Sequence, residues 1–130
     1  MSIVYLTVEN VIYLHDKILE NTLEDKNLAP DTSLESALHR VNDHIAYEDL
    51  SDIYEIAALI GIAITKGHCF NNGNKRTGMV SMLVFLYIND IDVEADNDDI
   101  EQVMVDVATD VMSREQLSDW LRANTLPEIT

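Results

Sequence analysis

Two apolar segments separated by a polar joint constrain the fold of this chain more than any other feature. Residues 53–65 and 79–88 are strongly apolar, and each is long enough to form a helix. The joint, residues 66–78, reads Lys-Gly-His-Cys-Phe-Asn-Asn-Gly-Asn-Lys-Arg-Thr-Gly. A turn between two helices needs only a few small residues, so a joint rich in asparagine, basic side chains and histidine indicates a binding or catalytic site.

The apolar segments predict two central helices. We expect the first to begin near Asp49 or Ser51 and to stop at Gly67, since glycine readily adopts the left-handed conformation at a helix end. The second is expected to begin near Asn74 and to end at Asn89. Both are apolar on most faces, so we expect them to form the core of the fold.

Four further helices are predicted from apolar spacing and capping residues. Thr7 is expected to cap a first helix that ends near Asn21, and Thr32 with Glu35 forms a capping box for the next helix. Two more helix starts are indicated near the C-terminus, at Asp96 or Asn97 and at the capping box of Ser113 with Gln116.

The fold class that follows is all-α, a compact bundle of about six helices. A minor β element is expected at most, and residues 91–94 are the candidate because apolar and acidic residues alternate there. A chain of 130 residues with 47% hydrophobic content suits one buried core. We therefore expect a single domain spanning residues 1–130.

The charge balance bears on partners and location. Eight basic residues against 24 acidic ones give a formal net charge of −16, which disfavours nucleic acid and anionic membranes as partners. The acidity reflects either a solvated surface or the recruitment of a basic partner. The single cysteine, Cys69, excludes an intramolecular disulfide, and no apolar run approaches the roughly 20 residues that span a bilayer. With no basic leader ahead of an apolar stretch, we expect a cytoplasmic protein.

The start of the helix near Asn74 has the features of an anion site. The first backbone N–H groups of a helix have no partner within the helix, and Gly73 allows a ligand to approach them closely. Lys75 and Arg76 add two positive charges on the first turn. This combination is the one expected for a phosphate chain.

The other residues of the joint suit proton transfer, packing, or contacts with the loop and a ligand. His68 stands at the opposite side of the same loop, where it could accept a proton from a hydroxyl next to a bound phosphate. Phe70 is expected to point into the core and to fix the loop. Three asparagines could cap the helix, hold the loop, or contact a metal ion or a phosphate oxygen: Asn71, Asn72 and Asn74.

A Walker phosphate loop does not explain the joint. Five residues separate Gly67 from Gly73 where that motif has four, a further residue separates Gly73 from Lys75, and the preceding segment is predicted to be a helix instead of a strand. The alternative that remains is a capped helix–helix connection carrying a surface histidine.

Residues 68–77 match a known signature. They read His-Cys-Phe-Asn-Asn-Gly-Asn-Lys-Arg-Thr, which closely resembles the H-x-F-x-[D/N]-[A/G]-N-K-R-T motif of the Doc (death on curing) branch of the Fic/Doc superfamily. The similarity extends outward through Leu14-His15-Asp16, through Ala46-Tyr47-Glu48 and through the two apolar segments.

The resemblance implies a compact helical fold and a toxin of a toxin–antitoxin pair. Doc-type proteins use ATP and Mg²⁺ to phosphorylate a threonine of elongation factor Tu, which stops translation, whereas Fic relatives transfer AMP to target hydroxyls. Lys75 stands where Fic proteins usually have glycine, and Met79 stands where they have a second arginine. These two departures favour phosphoryl transfer over AMP transfer.

The resemblance also implies a role for each motif residue. His68 would be the base that activates the target hydroxyl, and the phosphates would be held by the backbone at Gly73 and by Asn74, Lys75 and Arg76.

Asn72 departs from the usual pattern, because the family commonly has an acidic Mg²⁺ ligand at this position. A neutral amide supplies no charge to a hard dication. Three interpretations stay open: weaker use of the metal, a neighbouring acidic residue as the ligand, or a chain that keeps the fold and binds partners without catalysis.

Two further expectations concern partners and His15. The inhibitory pattern [S/T]-x-x-x-E-[G/N] of many Fic proteins is not found, so restraint by a separate antitoxin is expected, with a disordered and partly basic tail that folds into a groove. His15 lies on the apolar stripe of the first helix and is expected to be a buried core residue, and Cys69 is expected to be a packing residue.

Overall fold

The computed structural model describes residues 2–24, 26–27 and 34–126. Within these ranges the chain forms six α-helices: α1 (Val8–Ile18), α2 (Leu34–Glu48), α3 (Ile53–Gly67), α4 (Asn74–Ile88), α5 (Asn97–Ala108) and α6 (Arg114–Ala123). Val93 and Thr125 form an isolated antiparallel bridge, so residues 91–94 do contribute a minor β element. The predicted all-α bundle is confirmed. None of the described helices has the length and apolar character needed to cross a membrane.

Helices α3 and α4 form the centre of the bundle, as their composition predicts. α3 packs against α2, α4, α5 and α6, and α4 also contacts α1 and α5. Ile56 and Ile64 of α3 and Met82, Phe85 and Leu86 of α4 are all fully buried. Burial of each such side chain stabilises the fold by about 1.5–3 kcal/mol, which makes this helix pair the main source of stability.

The two central helices approach most closely near the joint. A Cβ atom added at Gly78 would lie 2.1 Å from the Thr65 hydroxyl oxygen and 2.8 Å from the Gly61 carbonyl oxygen. Both distances are far below van der Waals contact, so only glycine fits at position 78 without movement of α3. This contact fixes where the end of α3 lies relative to the beginning of α4.

The predicted helix boundaries are correct at several ends. The Thr7 hydroxyl accepts the Asn10 N–H at the start of α1, and Ser113 forms the predicted capping box with Gln116 at the start of α6. α4 begins at Asn74 and is capped by Asn89, as expected. The capping box that involves Thr32 lies outside the described residues.

Two other boundaries differ from the prediction. α1 ends at Ile18 with Leu19 as its cap, earlier than Asn21. α3 begins later than Asp49 or Ser51, because the Asp52 carboxylate accepts the N–H groups of Tyr54 and Glu55 and so caps the helix there.

The expected left-handed conformation at Gly67 is wrong. Gly67 is the last residue of α3, and the left-handed conformation falls on His68, with φ 50° and ψ 44°. Gly67 is closely packed instead, because a Cβ atom there would lie 3.1 Å from the Cys69 sulfur, which would have to shift slightly, and 3.7 Å from Ala37 of α2. Gly67 thus supports the loop, through close packing instead of backbone conformation.

The Ala46-Tyr47-Glu48 segment joins α2 to α6. Arg114 donates to both carboxylate oxygens of Glu48, at 2.8 and 2.9 Å, and Glu48 also contacts His44. The hydrogen bonds from Arg114 and then His44 lower the pKa of Glu48 to about 2. Tyr47 is almost fully exposed. This segment therefore holds α2 against α6, and it is not part of residues 66–78.

The α3–α4 contact generates a stability prediction. Gly78→Ala is expected to lower the free energy of unfolding by about 2 kcal/mol or more, because the steric clash outweighs the better helix propensity of alanine. Gly61→Ala is the matched control: its new methyl group would meet the flexible Met82 side chain, with Sδ at 2.9 Å, so the loss should be under about 1 kcal/mol. Urea unfolding followed by circular dichroism measures both. Equal losses in the two variants would contradict the proposed close approach at Gly78.

Candidate active site

The joint folds into a short loop bounded by two left-handed residues. His68 follows α3 with φ 50°, and Gly73 precedes α4 with φ 79°. A non-glycine residue in this region is uncommon and costs on the order of 1–3 kcal/mol, although histidine tolerates it better than most. His68 is also exposed to solvent, whereas the neighbouring Cys69 and Phe70 are buried. The loop therefore presents His68 outward while its next two side chains anchor it.

α1 holds the loop from the interior. The Phe70 ring stacks on the His15 ring, with centroids 3.7 Å apart and planes 8° from parallel. His15 is fully buried, and its Nε2 lies 2.8 Å from the Asn72 carbonyl oxygen. Because a carbonyl oxygen only accepts, Nε2 carries the proton and donates it. The expected burial of both His15 and Phe70 is confirmed.

Asn74 fastens the loop to the first turn of α4. Its side-chain oxygen accepts the Phe70 N–H at 3.0 Å, and its side-chain nitrogen donates to the Phe70 carbonyl at 2.8 Å. Both polar ends of the amide are thus engaged by one residue. What Asn74 offers to a ligand at the helix start is its backbone N–H.

The N-terminus of α4 has the geometry of an anion site. The N-cap residue is Gly73, which has no side chain to cap the N–H groups of this helix. The first intrahelical bond runs from the Thr77 N–H to the Gly73 carbonyl at 2.8 Å, so the amides of residues 74–76 have no partner in the helix. The helix dipole adds partial positive charge at the same point.

Lys75 and Arg76 add full charges beside these amides. Arg76 is exposed, and its guanidinium lies 2.8 Å from a carboxylate oxygen of Glu24, in the segment that follows α1. Lys75 is half-buried and lines a cleft of about 290 Å³ between α4 and α5. The surface of the cleft is mostly apolar, and its other lining residues are Arg76, Met79, Leu83, Asn97, Ile100, Glu101 and Met104.

Metal binding would have to use few protein ligands. No group of three or more acidic, histidine or cysteine side chains in the described residues could hold a metal ion. Mg²⁺ commonly takes only one or two protein ligands and completes its shell with water and phosphate oxygens. Asn72, whose carbonyl already binds His15, could supply one neutral side-chain oxygen to such an ion.

Cys69 has no reactive environment. It is fully buried against Gly67, and burial raises the pKa of its thiol. A thiol held in its neutral form is a poor nucleophile, so its role is packing, as expected.

Sequence reasoning missed two contacts of the site. His15 was expected in the core, but its hydrogen bond to Asn72 reaches the loop; the available signal was a single polar side chain on an otherwise apolar stripe. The Glu24 contact with Arg76 had no such signal, because an ion pair between residues far apart in sequence leaves no local pattern.

Comparison with known proteins agrees with this geometry. The model of the Fic/DOC family matches residues 5–86, a range that includes α1, the whole loop and most of α4. The protein kinase Doc of Escherichia phage P1 is 31% identical to this chain over 118 residues, which cover 91% of the chain and 93% of that protein. The match to the family model and the similarity along nearly the full length of a Doc protein together show that the chain belongs to the Doc branch of the Fic/DOC family.

Proposed function

We propose that this protein transfers the γ-phosphoryl group of ATP to a hydroxyl group of a protein substrate. The observation that carries the proposal is the start of α4 behind a glycine N-cap, with Lys75 and Arg76 beside it and a mostly apolar cleft directly next to them. The amides and cations suit a phosphate chain, and the cleft suits a nucleoside. Similarity to a protein named as a kinase supports the same reaction.

The residues of the loop divide the chemistry between them. The backbone amides from Gly73 onward, with Lys75 and Arg76, would hold the phosphate oxygens and stabilise the charge that develops during transfer. His68 would accept the proton of the attacking hydroxyl while that oxygen bonds to the γ-phosphorus and the bond to the ADP oxygen breaks. Mg²⁺, bound with Asn72 and phosphate oxygens, would neutralise part of the phosphate charge.

The character of the cleft favours phosphoryl transfer over AMP transfer. For AMP transfer the α-phosphate must lie next to His68, and two further phosphates then need positive charge beyond it. Past Lys75 and Arg76, the cleft instead presents Met79 and Leu83, which offer no charge to a phosphate. The adenine ring, whose faces are apolar, fits there better than charged phosphates do, and this arrangement leaves the γ-phosphate beside His68.

The biological role follows as part of the same proposal. We take the substrate to be a threonine of elongation factor Tu, on the resemblance to Doc proteins, and the protein to be a cytoplasmic toxin restrained by a cognate antitoxin. The start of α4 would be the surface that an antitoxin must block, directly or by covering His68.

Mass spectrometry of the product tests the reaction. After incubation with Mg-ATP, elongation factor Tu should gain the mass of one phosphoryl group. His68→Ala should lower the rate on the order of a hundredfold or more, since it removes the general base. His39→Ala, which changes an exposed histidine of α2, is the control and should leave the rate unchanged. Gain of an AMP mass would support the alternative reaction, and an unmodified protein alongside an active control kinase would refute both for this substrate.

Asn72→Asp tests the metal assignment. A carboxylate supplies the charge that the amide lacks, so the Mg²⁺ concentration for half-maximal activity should fall on the order of tenfold. Asn71→Asp adds the same charge at the neighbouring exposed position and is the matched control. If both variants shift the Mg²⁺ requirement equally, the effect is general electrostatics and Asn72 is not a ligand.

Glu24→Gln tests whether Arg76 is available to phosphate. The carboxylate of Glu24 competes with a phosphate for the guanidinium, and its removal should raise ATP affinity about threefold, the range expected for one exposed ion pair. Glu20→Gln, which disrupts the exposed pair with Lys17, is the control and should have no effect. Isothermal titration calorimetry at low salt measures both. Weaker binding by Glu24→Gln would mean that Glu24 positions Arg76 instead of competing for it.

A further inference from the structure

We propose that His15 is a positioning residue of the phosphate site, and that its Nε2–H sets the direction of the Gly73 amide. This inference rests on the proposed function, because the aimed amide is one of the groups that would bind phosphate. His15 contacts neither the substrate nor His68 in this proposal. It acts through the peptide bond that joins Asn72 to Gly73.

The geometry of that peptide bond determines where its N–H points. A trans peptide is planar, and its C=O and N–H point in opposite directions. No peptide bond in the described residues is cis. The hydrogen bond from His15, at 2.8 Å, holds the Asn72 carbonyl toward the interior. The N–H of Gly73 therefore points away from α1, toward the open side of the loop where the amides of the first turn of α4 begin.

The surroundings of His15 hold it in this position. It is fully buried, and its ring is stacked on Phe70. A Cβ atom added at Gly73 would lie 3.6 Å from His15 Cδ2 and 3.4 Å from Leu19 Cδ2, so the glycine rests directly on α1. On the other side of the ring, Nδ1 lies 3.2 Å from an Asp16 carboxylate oxygen, which faces solvent. The stack on Phe70, the hydrogen bond to Asn72 and the contact with Gly73 thus hold the ring in place.

These contacts explain why position 15 needs histidine for the loop, although packing alone would also accept phenylalanine. Phenylalanine would keep the stack on Phe70, but it has no N–H for the Asn72 carbonyl. Without that bond the peptide could rotate, and the carbonyl oxygen, which repels anions, could turn toward the phosphate site. Glutamine would keep the hydrogen bond and lose the stack, because its side-chain nitrogen can donate in place of Nε2 but it has no ring.

Two substitutions of His15 separate positioning from packing. His15→Phe should lower Mg-ATP affinity about tenfold, the effect of one lost hydrogen bond in a binding site. His15→Gln should keep affinity within about threefold although it is less stable. Val11→Ala truncates another fully buried residue of α1 and is the control: it should lower the melting temperature without changing affinity. Calorimetry and thermal unfolding measure the two properties separately.

A second readout makes the test independent of nucleotide binding. In the ligand-free protein, the ¹⁵N shift of the Gly73 amide, which responds more to the hydrogen bond on the Asn72 carbonyl than to nearby rings, should move in His15→Phe and stay near its original value in His15→Gln and Val11→Ala. The inference is overturned if the Gly73 signal of His15→Phe is unchanged, or if affinity falls in step with melting temperature across all three variants. If the unaltered protein does not bind Mg-ATP while its Gly73 signal responds as expected, the proposed function fails and the structural role of His15 stands.

Discussion

The close packing of α3 on α4 is the contact on which the rest of the structure depends. Gly78 allows the α4 backbone to approach Thr65 and the Gly61 carbonyl so closely that a single methyl group would separate the helices. Because the helices are held so near the joint, the ends of the loop are fixed, and its six residues have little freedom in how they cross the gap. The polar loop can then tolerate a left-handed residue at His68, whose conformational cost is met by the buried surface of the helix pair.

Two hydrogen-bonded contacts turn this fixed gap into a defined site. From α1, His15 donates a hydrogen bond to the Asn72 carbonyl. From the first turn of α4, the Asn74 side chain hydrogen-bonds with both the N–H and the carbonyl of Phe70. Both contacts satisfy polar groups of the loop on its inner side. The outer side keeps the helix amides and the cations. Because the inner polar groups bind the protein while the helix amides and the cations lie on the outer side, a loop with several asparagines can be held in place and still offer donors to a ligand.

Much of the fold and part of the site could be predicted from the sequence. Capping and apolar spacing locate the helices because they are local properties, as at Ser113 and Asn74. The motif located the loop. The left-handed conformation was assigned to Gly67 by propensity, whereas close packing against Cys69 and Ala37 decides that position. For Asn74, the sequence left open whether the side chain holds the loop or contacts a ligand; the structure shows that it holds the loop, and the phosphate role of this residue stays a prediction.

The charge distribution shows why local geometry must govern the proposed reaction. With a net charge of −16, the protein as a whole repels ATP. Several cations are neutralised by nearby carboxylates, among them Lys66 by Asp110 and Arg76 by Glu24. Lys75 forms no ion pair with the described residues, and it lies where the amides of α4 and the cleft meet. The proposed attraction for phosphate therefore depends on this local group of one cation and the fixed amide dipoles, which act over a few ångströms with little screening. Away from that point, the negative surface would keep an unbound anion from other positions.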